Sequence, residues 1–296
     1  MIGYYLFLGF EKFLMILPHE WRKTFFTGLA NLAYNIDKKH RLVIKQNLQF
    51  IYGEDANDKL IEEVSRYAYK NLALNVLFTI ERRYMSLDEF KEKVTLVNVE
   101  HVQKILGEGR PIIYTAAHFG QWELGGSAIS AFVEPLSVIY KVMSNPYFEK
   151  YLLESRARFG ITNVAHRGAL KPLMKQLRKK GSIALLGDTK SSKRDGILVD
   201  FLGKKAYQVS TPAVLARKLN AAIIPVASFT DDHEHYTVKF YDEIDVHSLD
   251  DESEAVLHGT QALADWLTKL IDEDPKQWFW LHRRWKNDYP EVYQNN

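Results

Sequence analysis

The spacing of apolar residues changes near residue 93 and divides the sequence into two parts. In the first part, apolar residues recur three and four positions apart, as in EDANDKLIEEVSRYAYKNLALNVLFTIERRY, and this spacing predicts helices. In the second part, amphipathic stretches alternate with short apolar runs such as VTLVNV, PIIYTAA, LSVIYKV, SIALLGD and AAIIPVASF. This alternation predicts an α/β sheet with helices on both faces. HYTVKFYDEI alternates residue by residue, which predicts an antiparallel or edge strand.

The division near residue 93 gives the predicted organisation of the chain. Residues 1–92 are interpreted as an N-terminal helical region, and residues 93–296 as an α/β domain. No repeat, low-complexity segment or linker separates the two parts, so we expect one continuous structural unit.

The N-terminal segment 2–17 is apolar except for Glu11 and Lys12. It is shorter than the roughly 20 residues that span a bilayer, and it contains two charges. Three structures stay open: a helix lying in the membrane interface, a short tilted anchor and a core helix. Aromatic residues within the segment, together with the following Trp21 and its basic neighbours, favour the interface. No small-residue cleavage site follows, so we expect a retained, membrane-associated helix.

The charge composition argues against nucleic acid as a partner. Thirty-nine basic and 37 acidic residues leave a net charge of +2. The basic residues are concentrated in 166–195 and in LHRRWK near the C-terminus, where they could meet phosphates, anionic lipid or an acidic protein. The chain has no cysteine, which excludes a thiolate nucleophile and a cysteine-ligated metal.

The candidate chemistry lies where the predicted strands end. His118 follows the apolar run PIIYTAA, Asp188 follows SIALLG, and Glu123 lies about one helical turn after His118. If the two strands are parallel, His118 and Asp188 emerge at the same edge of the sheet. We expect Glu123 to reach back to the imidazole, so that the histidine can take a proton from a hydroxyl. The same spacing recurs at His247 and Glu252, but in a polar segment that no buried strand precedes, and we interpret that pair as coincidental.

Motifs for other site classes are missing from the sequence. It contains no G-x-S-x-G nucleophile elbow, no P-loop, no dinucleotide-binding fingerprint and no H-E-x-x-H zinc motif. We therefore expect neither a metal nor a cofactor.

The motif HFGQWE, in an α/β chain with an apolar N-terminal segment, resembles the late acyltransferases of lipid A biosynthesis, the lauroyl and myristoyl transferases. These belong to the H-x4-D/E glycerolipid acyltransferase superfamily. The resemblance continues through VIYKVMSNPYFEKYLLESRARFG, LLGDTKSSKRDGILVDFLGKKA, STPAVLARKLNAAIIPV and DPKQWFWLHRRWK. It covers most of the chain, and five segments in the same order are far more specific than the H-x4-E pair. The family fold implied is a mixed sheet flanked by helices.

The resemblance also implies roles for individual residues. His118 would be the general base and Glu123 its acidic partner. Arg156 would bind a substrate anion or stabilise the oxyanion, with Arg158 as the alternative. The set of expected substrate-contacting residues is completed by Asp188 and Trp122. The family usually has Gln or His after this Asp, whereas Thr189 stands here.

The function implied is transfer of a fatty acyl chain from acyl carrier protein to a hydroxyacyl chain of a Kdo-bearing lipid A precursor. The enzyme would work at the cytoplasmic face of the inner membrane, in contact with membrane lipid. Two alternatives stay open: an acyltransferase for another glycolipid or a lysophospholipid, and a non-catalytic membrane lipid carrier.

Overall fold

The structure, a computed structural model, describes residues 2–294. The helices that it contains in this range are α1 Ile2–Ile16, α2 His19–Ile36, α3 Lys38–Tyr52, α4 Asp58–Glu81, α5 Leu87–Glu92, α6 Val99–Gly107, α7 Trp122–Phe132, α8 Pro146–Ala157, α9 Leu170–Arg178, α10 Thr211–Leu219 and α11 Glu252–Glu273. The strands are β1 Val94–Val97, β2 Ile112–Gly120, β3 Leu136–Tyr140, β4 Thr162–Ala165, β5 Ser182–Leu186, β6 Gly196–Phe201, β7 Lys204–Val209, β8 Ala222–Phe229 and β9 Tyr236–Phe240.

Seven strands form the central sheet in the order β1-β9-β8-β2-β5-β3-β4. All neighbouring strands are parallel except β8 and β9, so the sheet is mixed and mostly parallel. Helices pack on both faces of this sheet, and strands β6 and β7 form a separate antiparallel hairpin. The predicted α/β class and the antiparallel strand in HYTVKFYDEI are confirmed.

The strands β2 and β8 are buried along nearly their whole length, as the apolar runs predict for the middle of a parallel sheet. Helix α8 begins as its sequence indicates: the Asn145 side chain accepts a hydrogen bond from the Tyr147 N–H, and Pro146 occupies the first turn. Helices α3 and α4 share one hydrophobic core cluster with α11 and the C-terminal residues 278–293.

The predicted N-terminal helix is present as α1, and the acidic residue within it, Glu11, faces the rest of the protein. Glu11 is buried, accepts a hydrogen bond from the Tyr151 hydroxyl at 2.8 Å and lies 3.4 Å from Arg83 Nε. Leu14 on the same helix is also buried against α4. The inward face of α1 therefore packs on α4 and α8. Within residues 2–294, no helix is both long and apolar enough to cross a membrane.

The outward faces of α1 and α2 expose large apolar side chains in a helical pattern. On α2 these side chains recur every three or four residues, which places them on one face. The exposed residues of this surface, here called the α1–α2 face, are Tyr5, Leu6, Phe10, Phe13, Ile16, Trp21, Phe25, Leu29, Leu32 and Ile36. The apolar surface of the N-terminus is thus larger than the predicted segment 2–17 and includes most of α2.

Candidate active site

The register between β2 and β5 brings His118 and Asp188 together. The two strands are parallel, with Ala116 paired to Leu186. His118 and Asp188 each follow two residues after this pair. The imidazole Nδ1 is 2.8 Å from Asp188 Oδ1, and the His118 backbone N–H donates to Oδ2 at 2.9 Å. The indole N–H of Trp278 donates to the same oxygen at 3.0 Å. Asp188 is buried, and these three contacts fix its orientation.

The two groups stabilise each other's charged forms. Burial lowers the pKa of His118, but the negative charge of Asp188 and its hydrogen bond raise it more, so the pKa lies above its ordinary value. Burial raises the pKa of Asp188, but His118 and the hydrogen bonds to the carboxylate hold this pKa below its usual range. Because Asp188 occupies Nδ1, Nε2 is the imidazole nitrogen that can exchange a proton with another molecule.

The expected contact between Glu123 and the imidazole is wrong. Helix α7 begins at Trp122 and directs Glu123 away from the sheet edge, toward α4 and α8. There its carboxylate accepts two hydrogen bonds from Arg156, through Nε and Nη2, and one from Arg82 Nη2 at 3.4 Å. Burial raises the pKa of Glu123, but the two guanidinium groups, Arg156 first, lower it to about 2. Glu123 acts on His118 only through its charge, as the smallest of the influences that raise the histidine's pKa.

The two candidate arginines point in different directions, because two residues on a helix lie about 200° apart. Arg156 lies on the side of α8 that faces α7 and holds Glu123; its Nη1 is buried and has no hydrogen-bond partner among residues 2–294. Arg158, at the end of α8, is exposed and donates to the Met85 carbonyl at 3.1 Å.

Arg82 is a residue of the site that the sequence analysis missed. It is fully buried, and its guanidinium donates to Ser155 Oγ at 3.0 Å and to Ser127 Oγ at 2.8 Å in addition to its contact with Glu123. It therefore ties together α4, α7 and α8. The signal in the sequence was the pair of arginines at the end of the long helix, in TIERRY, which gives no indication that one of them turns inward.

The C-terminal aromatic tail closes the other side of the site. The Phe279 N–H donates to the His118 carbonyl at 2.9 Å, and its ring lies 5.9 Å from the imidazole. Trp280 and Trp285 are buried, and so is Arg284, which donates to Gln208; the Gln208 amide in turn donates to the Gly187 carbonyl just before Asp188. The tail is therefore part of the core and supports the loop that carries Asp188.

Gly120 makes the turn between β2 and α7 possible. Its φ is +52°, and a Cβ at this position would lie 2.1 Å from the Ser228 carbonyl oxygen. Only glycine fits this combination of positive φ and close approach. The Gly120 carbonyl accepts hydrogen bonds from the side-chain amides of Asn71 and Asn75 on α4, at 2.9 and 3.2 Å. The turn that follows His118 is thus held on both sides.

An apolar cavity lies between helix α7 and the sheet. Trp122 packs edge-on against His118, with ring centres 5.3 Å apart, and lines the cavity together with Gly125, Gly126 and Ile129 on the same face of α7. The opposite wall is the sheet surface of β2, β5, β3 and β8. The second His–Glu pair, His247 and Glu252, lies elsewhere: the His247 ring contacts the Ala221 carbonyl at 3.3 Å, and Glu252 begins α11.

Comparison with known proteins identifies the family of this chain. The family model described as bacterial lipid A biosynthesis acyltransferase matches residues 1–287. A lipid A biosynthesis acyltransferase of Haemophilus influenzae is 22% identical over 98% of this chain and 90% of its own length. The lipid A biosynthesis lauroyltransferase of Escherichia coli K12 is 22% identical over 88% of this chain and 83% of its own.

A phosphatidylinositol mannoside acyltransferase of Mycolicibacterium smegmatis is 25% identical over 67% of this chain, and the match spans only 64% of that relative's length. The relatives differ in the acceptors that their names state, but all are acyltransferases. With a family model matched over almost its whole length, the chain belongs to the bacterial lipid A biosynthesis acyltransferase family and is an acyltransferase.

Proposed function

We propose that this enzyme transfers a fatty acyl chain from acyl carrier protein to a hydroxyacyl chain of a Kdo-bearing lipid A precursor, with His118 as the general base. The observation that carries the proposal is the His118–Asp188 pair, whose imidazole packs against Trp122 in the wall of an apolar cavity. A histidine oriented by a buried carboxylate suits proton abstraction from a hydroxyl, and an apolar cavity suits an acyl chain.

The reaction follows from this geometry. His118 Nε2 takes the proton of the acceptor hydroxyl while the hydroxyl oxygen attacks the thioester carbonyl carbon. The carbon–sulfur bond then breaks, and the imidazolium returns the proton to the leaving thiolate. Asp188 stabilises the imidazolium between these steps and keeps Nδ1 protonated. Because the chain has no cysteine and no serine elbow, we favour direct attack over a covalent acyl-enzyme.

The donor is inferred from the charge of one surface. Between His166 and Asp188 the sequence contains no acidic residue, and the exposed face of α9 carries Lys171, Lys175 and Arg178. This surface lies on the chain segment that leads into β5 and Asp188. An acidic carrier protein would be attracted to it, which favours rapid and specific encounter.

The arginine pair at Glu123 is assigned to substrate binding and positioning. Arg82 and Arg156 together carry two positive charges against the single negative charge of Glu123. The remaining positive charge and Nη1 of Arg156, which has no hydrogen-bond partner in the described part of the chain, can stabilise a substrate anion or the oxyanion of the transition state. Glu123 then serves to hold Arg156 in place, rather than to orient His118.

We expect Arg156→Ala to lower kcat/KM far more than Arg158→Ala. Loss of a charge-assisted contact to the reacting group costs about 2–4 kcal/mol of transition-state stabilisation, whereas Arg158 is exposed and donates to the backbone carbonyl of Met85. Lysine at position 156 should restore little activity, since it cannot make the paired contact with Glu123. The measurement is kcat/KM of each variant with one donor and one acceptor. Equal small losses in the two alanine variants would show that α8 does not line the site.

The α1–α2 face supports a peripheral position at the membrane, which we propose to be the cytoplasmic face of the inner membrane. Its exposed aromatic and aliphatic side chains suit the boundary between headgroups and acyl chains. Glu11, the acidic residue within the apolar segment, faces the protein and so does not oppose this contact. The surface would hold the enzyme where its lipid acceptor resides.

The double substitution Leu29→Glu with Leu32→Glu is expected to reduce binding to vesicles of anionic phospholipid without lowering the melting temperature. Both side chains are exposed on the α1–α2 face, so the change adds charge to the membrane surface and not to the core. Leu257→Glu, an equally exposed leucine on α11, serves as the control. Sedimentation with vesicles decides the matter; equal pelleting of both variants and the wild type would place the membrane contact elsewhere.

A second acceptor class is favoured by one observation, the similarity to a phosphatidylinositol mannoside acyltransferase. A competition assay separates the candidates: the lipid A precursor, a phosphatidylinositol mannoside and a lysophospholipid are mixed at equal concentration with acyl carrier protein thioester. We expect the lipid A precursor to be acylated first. Preferential acylation of another acceptor would overturn the proposed substrate but not the family.

A further inference from the structure

The apolar cavity beside His118 has a defined far end. Its walls are the α7 face described above and, on β2, the side chains of Tyr114, Ala116 and Ala117. Small residues form the middle of the cavity: Ala116 and Ala184 on the sheet, with Gly125 and Gly126 on the helix. The open volume is about 60 Å³. Tyr114 is the largest side chain at the end away from the histidine.

Tyr114 is held firmly in that position. Its side chain is fully buried, and its hydroxyl donates to Glu134 Oε1 at 2.6 Å. Glu134 lies between α7 and β3, at the end of the sheet opposite the catalytic edge. The ring therefore spans the space between the cavity and the far side of the molecule. Beyond it, Ile112 and Leu136 belong to the closed core.

We propose that Tyr114 sets the length of the acyl chain that the enzyme transfers, as the floor of the acyl pocket; this rests on the function proposed above. The cavity runs from Trp122, which packs against the His118 ring, to Tyr114 at its other end. The enzyme therefore selects against acyl chains that would extend past Tyr114.

An acyl chain enters this pocket when the side chains at the pocket's open end move apart. Leu186, two residues before Asp188, is 39% exposed, and Trp122 is only partly buried. The floor has no such freedom, because the Tyr114 side chain is fully buried and its hydroxyl is hydrogen-bonded to Glu134. Length selection at the floor follows from this difference between the two ends.

The test compares kcat/KM for acyl carrier protein thioesters of 10, 12, 14 and 16 carbons, in the full-length enzyme with one lipid A precursor. Tyr114→Val should shorten the floor side chain and raise kcat/KM for the longest donors relative to the shortest by at least about tenfold. Tyr114→Phe keeps the ring but removes the bond to Glu134, and it should retain the wild-type preference. Ala116→Leu, halfway along the pocket, should move the preference to shorter chains.

Ratios between donors are measured within one variant, so a smaller folded fraction does not affect them. If Tyr114→Val does not fold, Ala116→Leu still tests the pocket and Tyr114→Phe the floor. Transfer with an unchanged length profile in Tyr114→Val and Ala116→Leu would overturn the role of this cavity while leaving the proposed function intact. Absence of transfer by the wild type from every donor would refute both.

Discussion

His118→Ala is expected to lower the rate of acyl transfer by about 10²- to 10⁴-fold, the usual loss when a positioned general base is removed. The fold should survive, because Asp188 would keep the hydrogen bonds from the backbone N–H of residue 118 and from Trp278. The measurement is kcat on the purified variant, with its melting temperature as the check on folding.

His247→Ala is the matched control for this experiment. His247 has the same spacing to a glutamate but lies away from the sheet edge, and its ring contacts the backbone carbonyl of Ala221. Its replacement should leave the rate unchanged. If His118→Ala is folded and retains near-full activity, then His118 is not the base and the mechanism is wrong.

Asp188→Asn is expected to cause a loss on the order of 10⁴ in kcat, as amide substitution of the histidine-orienting carboxylate does in serine proteases. The amide cannot stabilise the imidazolium, and it permits the wrong tautomer. Glu123→Gln should cost less, since Glu123 touches arginines and not the imidazole.

The pH dependence separates these two carboxylates further. His118 acts as a base only when neutral, so kcat/KM should rise with pH through the histidine's pKa, which lies above its ordinary value. Asp188 is the main cause of the increase, and without its charge burial alone would lower this pKa. The acid limb of the profile should therefore move to lower pH in Asp188→Asn. Glu123→Gln should move it in the same direction but less; a larger shift in Glu123→Gln would reverse the assignment.

The fold and the location of the site follow from local patterns in the sequence. A strand with apolar side chains on both faces indicates a buried parallel sheet, and the polar residue at its end indicates the functional edge. His118 and Asp188 could be placed at one edge because each follows such a strand, PIIYTAA and SIALLG. The family was recognised from its segments in order, which needs no structure.

The partners of each carboxylate could not be predicted in the same way. Glu123 meets Arg82, 41 positions before it, and Arg156, 33 positions after it, because α4 and α8 converge on α7. The Asp188 contact with Trp278 joins residues 90 positions apart. A spacing of five residues indicates only that a contact is possible, whereas tertiary packing decides which groups meet. Glu123 is closer to His118 in sequence, but the pairing of β2 with β5 places Asp188 next to the imidazole.

The surroundings of the N-terminal helices could not be predicted from the sequence either. An apolar run with an acidic residue inside it does not reveal which face that residue takes. The burial of Glu11 against Tyr151 depends on α8, which lies more than 100 residues away. Polar residues separate the apolar residues of α2 in the sequence. That these apolar side chains share one exposed face becomes evident only on the folded helix.

The central claim is tested most directly by mass spectrometry of the acceptor after incubation with the purified enzyme and acyl carrier protein thioester. We predict that the mass of the lipid A precursor increases by one acyl group, that the new ester lies on the hydroxyl of a hydroxyacyl chain, and that His118→Ala at equal concentration gives no such product. An unchanged precursor with the wild type, or the same product with His118→Ala, would contradict the account.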